Sequence, residues 1–180
     1  SILQGHPDMN MCPGIEMSTG ALGQGISAAV GMALGAKMLK NNVRVYSVVG
    51  CAECHEGQVW EAAMSAAKFK LDNLVTFVDY NKFALSETTS YIMPIDPLRE
   101  KWKAFGWHTM EIDGHDVRHI VEALHEARKL REQPTAIIAN TIKAHKVSCW
   151  VGKWQSHSVQ LTGDQVRQTL EELDCPEDRI

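Results

Sequence analysis

The stretch 43–81, VRVYSVVGCAECHEGQVWEAAMSAAKFKLDNLVTFVDYN, decides the fold of this chain. It opens with an apolar, β-branched run at 43–49 that has the length of one buried strand, and a second such run occupies 74–78. Between them, residues 59–70 predict a helix with an apolar face formed by Val59, Ala62, Ala63 and Ala66. A strand, a helix and a second strand of these lengths form a βαβ unit, so we expect a parallel sheet.

Polar loops follow both predicted strands, at 50–57 and 79–87. In an open parallel sheet, ligands bind beyond the carboxyl ends of the strands because the loops there face outward. Both loops fall on that edge, so we expect the functional site to lie where they meet.

The rest of the chain continues to alternate between helices and strands. The tripeptide Ser18-Thr19-Gly20 is expected to cap a helix over 21–39, and Asp116 to cap a later helix. The further predicted elements are helices over 97–105, 117–130 and 164–173 and strands over 107–112 and 135–140. This order predicts an α/β fold, a parallel β-sheet with helices on both faces. We expect one domain over 1–180, with an irregular loop over 1–18 and, over 144–180, a tail with a C-terminal helix.

Composition and charge exclude several classes of function. The chain has 180 residues, 44% of them hydrophobic and 22% charged, with a formal net charge of −4. We therefore expect neither nucleic acid nor a membrane as partner. The longest weakly polar region, 21–39, is interrupted by glycines and polar residues, so it predicts no membrane span, and no signal-peptide pattern is present. Five cysteines without regular spacing indicate reduced thiols and a cytoplasmic location.

The first loop contains the pattern C-x-x-C-H at Cys51, Cys54 and His55. The full pattern is typical of covalent c-type haem attachment, which would require an exported protein and a porphyrin pocket, and nothing else in the sequence supports either. The Cys51/Cys54 pair alone is compatible with a redox or soft-metal function, because a helix N-terminus favours a thiolate. Two ordinary thiols in a turn are the third interpretation. Three histidines without matched metal-ligand spacing are expected to be solvated helix residues: His115, His119 and His125.

Eight segments, in order along the chain, resemble the diphosphate-binding domain of transketolase, in particular the amino-terminal subunit of split transketolases. They are GHPD (5–8), EMSTGALGQGISAAVGMA (16–33), RVYSVVG (44–50), EGQVWEAAMSAAKFKLDNLV (56–75), DYN (79–81), KWKAFGW (101–107), DGHD (113–116) and PTAIIANTIK (134–143). The resemblance implies a thiamine diphosphate-binding fold with thiamine diphosphate held by Mg²⁺ or Ca²⁺ as cofactor. It also implies transfer of a two-carbon ketol unit between sugar phosphates, as in the pentose phosphate pathway, by a homodimer or together with a separate pyrimidine-binding subunit.

The resemblance assigns catalytic and cofactor-binding residues. His6 is expected to face substrate and cofactor, with a histidine in a surface loop as the alternative. Glu56 is expected in a carboxylate network at the subunit interface, although a glutamate in the first turn of a helix is also favoured by the helix dipole. His157 is expected to contact the diphosphate and leaving groups, and Gly20 and Leu22 to contact the rings of the cofactor.

The metal anchor departs from the family pattern. Relatives carry Gly-Asp-Gly after the first strand, where this chain has Gly50, Cys51 and Ala52. Besides Cys51, the resemblance places Asn81 and the carbonyl of Phe83 as metal ligands. Mg²⁺ and Ca²⁺ prefer oxygen, whereas sulfur suits Zn²⁺ or Cu(I). A free thiol with a pKa of about 8.5 is mostly neutral at pH 7, and Ala52 adds a methyl group where the backbone is expected to approach phosphate. We therefore expect impaired binding of metal and cofactor.

Further departures lie in the tail. Relatives continue with a Lys-Gly-x-Gly turn and a Trp-His-Gly-Lys segment, whereas this chain has Lys143-Ala144-His145-Lys146 and Ser156-His157-Ser158-Val159. The segments that form the core match, while positions expected to touch the cofactor differ. We therefore expect a transketolase-like half that is inactive alone, a pseudoenzyme. Two alternatives stay open: a non-catalytic assembly or regulatory module with the same fold, and a metal or redox protein that uses Cys51 and Cys54.

Overall fold

A parallel sheet of four strands forms the centre of the molecule, whose computed structural model describes residues 4–175. The strands are β1 (Val45–Gly50), β2 (Leu74–Tyr80), β3 (His108–Asp113) and β4 (Thr135–Asn140). They lie in the order β1-β2-β4-β3, and every pairing is parallel, so the predicted parallel sheet is confirmed. The ends of the predicted domain, 1–3 and 176–180, lie outside the described residues.

Helices accompany the sheet throughout the described residues: α1 (Gln24–Met38), α2 (Gly57–Lys68), α3 (Thr89–Ile92), α4 (Leu98–Ala104), α5 (Val117–Ala127) and α6 (Gly163–Glu172). Two short 3₁₀ helices lie at Ala52–His55 and Trp154–His157. Every predicted helix is present, with bounds that differ by a few residues, whereas the single-turn helix α3 and both 3₁₀ helices are additions to the prediction. None of the helices within residues 4–175 is long and apolar enough to cross a membrane.

Helices pack on both faces of the sheet and bury its central strands. One face of β1 stays open, since Tyr46 and Val48 are 47% and 72% exposed, so the run predicted as a buried strand is buried only in part. Along β2, Leu74 and Val78 belong to the larger core, which α1, α2 and α4 complete. Val75, on the opposite face, packs with Ala123 and Ala127 of α5. Alternate residues of one strand thus reach two separate cores, as expected for a central strand of a parallel sheet. The predicted α/β arrangement with helices on both faces is confirmed.

Helix α2 packs closely on its neighbours because the side chains on its buried face are small. Val59, Ala62, Ala63 and Ala66 are all buried, as the apolar pattern predicts. The main-chain carbonyl of Ala63 accepts a hydrogen bond of 2.9 Å from the indole N–H of Trp107. This packing fixes the position of α2 and, with it, the loop that precedes the helix.

The start of α1 differs from the prediction. The N-cap residue is Gly23 rather than any residue of the tripeptide Ser18-Thr19-Gly20. Glycine has no side chain that could cap the helix, and no side-chain cap hydrogen bond is present. Gly23 has a φ of 77°, in the left-handed region, and its N–H donates to the carboxylate of Glu53. A carboxylate from another loop therefore replaces the predicted local cap, and the helix begins later. The second predicted cap is confirmed, because the Asp116 side chain accepts from the N–H of Arg118.

Candidate functional site

The two loops predicted to form the site are adjacent in space. Gly50 at the end of β1 is paired with Asp79 in β2, and the N–H of Cys51 donates to the carbonyl of Asp79 at 3.0 Å. Parallel pairing forces this adjacency, since both strands end at the same edge of the sheet. Loops 50–57 and 79–87 therefore start side by side.

The predicted metal ligands lie together at this edge. The sulfur of Cys51 is 3.8 Å from Oδ1 of Asn81 and 3.9 Å from the carbonyl oxygen of Phe83. Cys51 is only 1% exposed, so its sulfur is enclosed by the surrounding chain. The Phe83 carbonyl is held nearby because the N–H of Phe83 donates to Oδ1 of Asn81 at 2.9 Å, which turns the chain after β2. One sulfur and two neutral oxygens therefore form a single cluster.

The Cys51 thiol is uncharged in this environment. Burial raises the pKa of the thiol, main-chain hydrogen bonding at Lys82 lowers it by less, and the charge of Asp79 raises it again. The net shift is upward, so the thiol is protonated at neutral pH. A protonated thiol is a hydrogen-bond donor, and the oxygens of Asn81 and Phe83 are its acceptors. The S–H group thus donates to the same two oxygens that the resemblance assigns as ligands of a cation.

Asp79 orients the Asn81 side chain and is missing from the candidates derived from the sequence. Its Oδ2 accepts from Nδ2 of Asn81 at 2.7 Å, and its Oδ1 accepts from the hydroxyl of Thr141. With Nδ2 held in this way, Oδ1 of Asn81 is directed toward Cys51 and Phe83. Its position at the end of a predicted strand could have indicated Asp79 as a site residue. No local pattern identifies Thr141 as its partner.

Glu53 joins the loop after β1 to the start of α1. Its Oε1 accepts from the N–H of Gly23 at 2.8 Å, and its Oε2 accepts from the N–H of Gly50 at 3.0 Å. We call these three residues the Glu53 clamp. The approach is close, because a Cβ added at Gly23 would lie 3.2 Å from Cβ of Gln58. Sequence reasoning missed the clamp, since only the short spacing between Gly50 and Glu53 is visible locally.

The residues assigned to the cofactor rings lie in the loops before α1. The ring of His6 packs against Gly20, where an added Cβ would come within 2.6 Å of ring atoms. Leu22 is 55% exposed. Glu56 is also exposed and immediately precedes α2, and its Cβ would lie 3.4 Å from a Cβ added at Gly23. The side chains of His6, Leu22 and Glu56 are therefore all accessible to a ligand or a partner chain.

The segment after β4 forms the other wall of a cavity at this edge. The cavity has a volume of about 390 Å³, and its lining includes Asp79, Asn81, Lys143 and His145. His157, in contrast, is exposed in a 3₁₀ helix, and among residues 4–175 no hydrogen bond, ion pair or ring contact joins it to the other candidates. A larger cavity of about 700 Å³ runs along β3 and contains none of the predicted site residues.

His115 is exposed, as predicted, and lies in the turn before α5 rather than in the helix itself. Its Nε2 accepts the N–H of Ile142 at 2.8 Å, and its ring stacks on the ring of His145 with centroids 3.8 Å apart. These contacts hold the segment after β4 against the turn after β3. His119 and His125 are exposed residues of α5, as predicted.

The thiols of the C-x-x-C pattern lie in different environments. Cys54 is 3% exposed and lies against Trp102 in the core, where burial raises the pKa of its thiol. Cys51 instead faces the oxygens of the second loop. Within the part of the chain that the structure describes, no group of three or more histidine, cysteine, aspartate or glutamate side chains could hold a metal ion. Of the two thiols, that of Cys51 faces the predicted ligands Asn81 and Phe83, and that of Cys54 does not.

Known proteins resemble this chain in sequence and architecture. The profile of the family described as "Transketolase, thiamine diphosphate binding domain" matches residues 1–178. The chain is 44% identical over 174 residues to the 6-deoxy-6-sulfo-D-fructose transketolase subunit SqwG of Clostridium sp., in a match that covers 97% of this chain and 63% of that protein. It is 42% identical over 173 residues to an apulose-4-phosphate transketolase subunit of Actinobacillus succinogenes, with 96% and 62% covered.

The fold agrees with these sequence matches. The crystal structure of transketolase from Campylobacter jejuni superposes with a TM-score of 0.87 at 29% identity, over 97% of this chain and 28% of that one. The chain spans less than two thirds of the length of the curated relatives described above, 63% and 62%.

Proposed function

This chain belongs to the transketolase family, and we propose that it is the diphosphate-binding half of a split transketolase. Both curated relatives described above are named as transketolase subunits, which supports a division of the enzyme between two chains. In this proposal a separate chain supplies the pyrimidine-binding domain. The assembly transfers a two-carbon ketol unit between sugar phosphates, and this chain is inactive alone because the site needs groups from both chains.

One observation carries the proposal. The family resemblance assigns Cys51, Asn81 and Phe83 to one cation site, and the two oxygens lie 3.8 and 3.9 Å from the Cys51 sulfur. The three residues meet at the carboxyl edge of a parallel sheet, where ligands of such sheets bind. Asp79 directs the Asn81 oxygen toward the cluster, which is the outer-shell support that metal sites require.

The donor set does not fit Mg²⁺ or Ca²⁺. Both are hard cations that take oxygen ligands, usually with at least one carboxylate. Here the cluster offers a sulfur in place of a carboxylate, and the thiol is neutral because burial raises its pKa. Asn81 and the Phe83 carbonyl contribute no charge. We therefore propose that binding of thiamine diphosphate through Mg²⁺ or Ca²⁺ is impaired in this chain.

The exposed candidates take the roles that the resemblance implies. We propose that His6, positioned by Gly20, faces substrate and cofactor, and that Leu22 packs against the cofactor rings. Glu56, whose side chain is exposed, meets a partner subunit or the second copy of a homodimer. His157 serves the phosphate end. We also propose a single domain and a cytoplasmic location, where thiols stay reduced.

The test is a thermal-shift titration with thiamine diphosphate and Mg²⁺. We expect little stabilisation of the unaltered chain and clear stabilisation of the double variant Cys51→Asp with Ala52→Gly, because the variant restores a charged oxygen and removes a methyl group. A ligand present at 100 times its Kd adds about 2.7 kcal/mol to the free energy of unfolding. Cys149→Asp, which adds the same charge in the tail, is the control and should show no gain.

Two outcomes would contradict the impairment. If the unaltered chain is stabilised by the cofactor and Mg²⁺ as strongly as the double variant, the sulfur does not weaken the anchor. If the double variant binds no cofactor although its circular dichroism is unchanged, the anchor is not the main defect.

A non-catalytic assembly or regulatory module is the second candidate function. It is favoured by the concentration of departures from the family pattern at the site, including Cys51, Ala52 and Ala144, while the core residues of β2 and α2 are retained. The same titration separates the two functions. A module predicts that neither the unaltered chain nor the double variant responds to the cofactor.

A further inference from the structure

We propose that the outer edge of β3 binds an extended, basic segment of another protein, which joins the sheet as a further strand. The binding surface is the larger cavity, of about 700 Å³, whose lining includes residues 108–113 of β3, Arg99 of α4, and His119, Glu122 and Glu126 of α5. We call it the β3 groove. Since it contains none of the residues predicted for the cofactor site, the inference does not rest on the proposed function.

One edge of β3 is unpaired within the part of the chain that the structure describes. β3 is the last strand in the order β1-β2-β4-β3, and β4 is its only neighbouring strand there. The N–H of His108 donates at 2.9 Å to the carbonyl of Pro134, just before β4, so the even-numbered residues of β3 face β4. Because successive residues of a strand present their main-chain groups to opposite edges, Glu111 and Asp113 direct theirs outward.

The outward-facing groups of Glu111 and Asp113 are accessible. Both residues are exposed, whereas Thr109, near the start of the strand, is buried. Within residues 4–175, no loop or side chain accepts a hydrogen bond from the N–H of Glu111 or Asp113, although the carbonyl of Asp113 already accepts from the N–H of Asp116. An unpaired edge of this kind is a template for another strand, which binds through main-chain hydrogen bonds.

The helices beside the β3 groove determine which side chains suit a docked segment. α4 packs on one face of the sheet and α5 on the other, so a strand added beside β3 has one helix on each side. Side chains alternate between the two faces of a strand, so every second residue of the segment points toward α5. Glu122 and Glu126 are four residues apart and lie on one face of α5, where they meet those side chains.

The charge of the β3 groove favours a basic segment over a second copy of this chain. Four carboxylates line the groove: Glu111, Asp113, Glu122 and Glu126. Arg99 is the one arginine or lysine of the lining, and Lys129, outside it, pairs with Glu126 at 2.8 Å. The carboxylates therefore outnumber the cations. Two copies paired through β3 would bring the same carboxylates together, which is destabilising, whereas lysine or arginine at alternate positions of the segment is attracted.

The experiment is a titration of the fluorescently labelled peptide acetyl-Lys-Thr-Lys-Thr-Lys-Thr-amide with the full chain, followed by fluorescence anisotropy. We expect saturable binding of one peptide per chain that weakens as salt is added, because the charges involved lie at the surface. The Glu122→Lys, Glu126→Lys double variant should bind at least about tenfold more weakly, since like charges across an interface are strongly unfavourable. The matched control is Glu61→Lys with Glu171→Lys, which makes the same charge change at exposed positions of α2 and α6 and should bind as the unaltered chain does.

Modified peptides separate strand addition from charge attraction, and they need no variant of the chain. A docked strand uses the N–H groups of one of its edges, so of two versions, N-methylated on the lysines only or on the threonines only, one should bind like the parent peptide and the other should lose binding. Binding of the parent peptide should also slow amide hydrogen exchange at Glu111 and Asp113 and leave Glu61 unaffected.

Four results would overturn the inference. They are an absence of saturable binding, equal affinity for the peptide with glutamate in place of lysine, equal affinity for the two N-methylated versions, and unchanged affinity in the Glu122→Lys, Glu126→Lys variant when its circular dichroism is that of the unaltered chain. Analytical ultracentrifugation tests the other occupant. A dimer of the unaltered chain that the basic peptide does not dissociate, and that the double variant does not form, would assign the edge of β3 to a second copy and also overturn the inference.

Discussion

Ala144 and Lys146 hold a backbone conformation that favours glycine, with φ of 53° and 65°. In the Lys-Gly-x-Gly turn of the relatives that this chain resembles, both positions are glycine. The structure therefore retains the path of a glycine-containing turn although the glycines are gone. A residue with a Cβ is destabilised by about 1–2 kcal/mol in the left-handed region. Glycine avoids this cost, but its larger loss of entropy on folding cancels part of the advantage.

Glycine at these positions is therefore expected to stabilise the chain. We predict that Ala144→Gly and Lys146→Gly each raise the free energy of unfolding by about 0.5–1 kcal/mol, measured by urea denaturation. Ala28→Gly, inside α1, is the matched control and should lower it by about 1 kcal/mol. Equal losses in the three variants would show that the left-handed backbone carries no strain.

At the first loop of the site, Cys51 and Ala52 stand where the family resemblance implies an aspartate and a glycine. The Cys51 sulfur lies beside the oxygens of Asn81 and Phe83, and sulfur is a donor that Mg²⁺ and Ca²⁺ do not prefer. The sequence shows this substitution directly. Its consequence depends on burial, which keeps the thiol protonated in the absence of a metal.

At the scale of secondary-structure elements, the Glu53 clamp connects the end of β1 to the start of α1. Each carboxylate oxygen accepts one N–H, from Gly23 at 2.8 Å and from Gly50 at 3.0 Å. Gly23 precedes a helix whose first N–H groups have no partners within the helix, and no local side chain caps it. The clamp therefore performs the capping that the local sequence does not provide.

Removal of this carboxylate should loosen both elements together. We predict that Glu53→Ala lowers the free energy of unfolding by about 2–3 kcal/mol, because two N–H groups lose a charged acceptor. Urea denaturation followed by circular dichroism is the measurement. The control is Glu56→Ala, three residues later, which removes an exposed carboxylate that accepts no hydrogen bond from residues 4–175; it should change stability by less than about 0.5 kcal/mol. A similar loss in both variants would contradict the clamp.

At the scale of the whole molecule, Asp72 joins the layers on the two faces of the sheet at its amino edge. Its Oδ1 lies 2.9 Å from Nζ of Lys37 in α1, and its Oδ2 accepts the N–H of Glu132, which follows α5, at 2.9 Å. Burial raises the pKa of the Asp72 carboxyl, but the hydrogen bonds from Glu132 and Lys37 lower it by more, so the net shift is downward.

This shift predicts how stability depends on pH. A carboxylate with a lowered pKa in the folded state stabilises the fold above its ordinary pKa of about 3.9, and the contribution is lost as pH falls through the folded value. We therefore predict that Asp72→Asn is less stable than the unaltered chain at pH 7 and that the difference shrinks at about pH 3. Urea denaturation at both pH values measures it.

The exposed carboxylate of Glu132, whose N–H donates to Asp72, provides the control. Glu132 pairs with Lys70 at 3.1 Å, with both side chains largely in solvent, and such pairs contribute little to stability. Glu132→Gln should therefore leave stability nearly unchanged at either pH. A difference between Asp72→Asn and the unaltered chain that does not vary with pH would contradict the assigned role of the carboxylate.

The sequence by itself determined the parallel sheet, the buried face of α2 and the adjacency of the two loops that form the candidate site. These features follow from local periodicity, since Val59, Ala62, Ala63 and Ala66 share a face because of helix geometry alone. The adjacency of the two site loops also follows, because parallel strands end at the same edge. The cluster of Cys51, Asn81 and Phe83 was predictable for this reason once the resemblance had named its members.

Only the tertiary structure decided which groups support that cluster. Gly23 and Glu53 are 30 positions apart, and Asp79 and Thr141 are 62 apart, yet each pair forms a hydrogen bond that orients the site. No local pattern encodes such partners, because they meet only after α1 and β4 have packed on β1 and β2. The same packing buries Cys51, and burial, rather than the identity of the residue, sets the charge of its thiol.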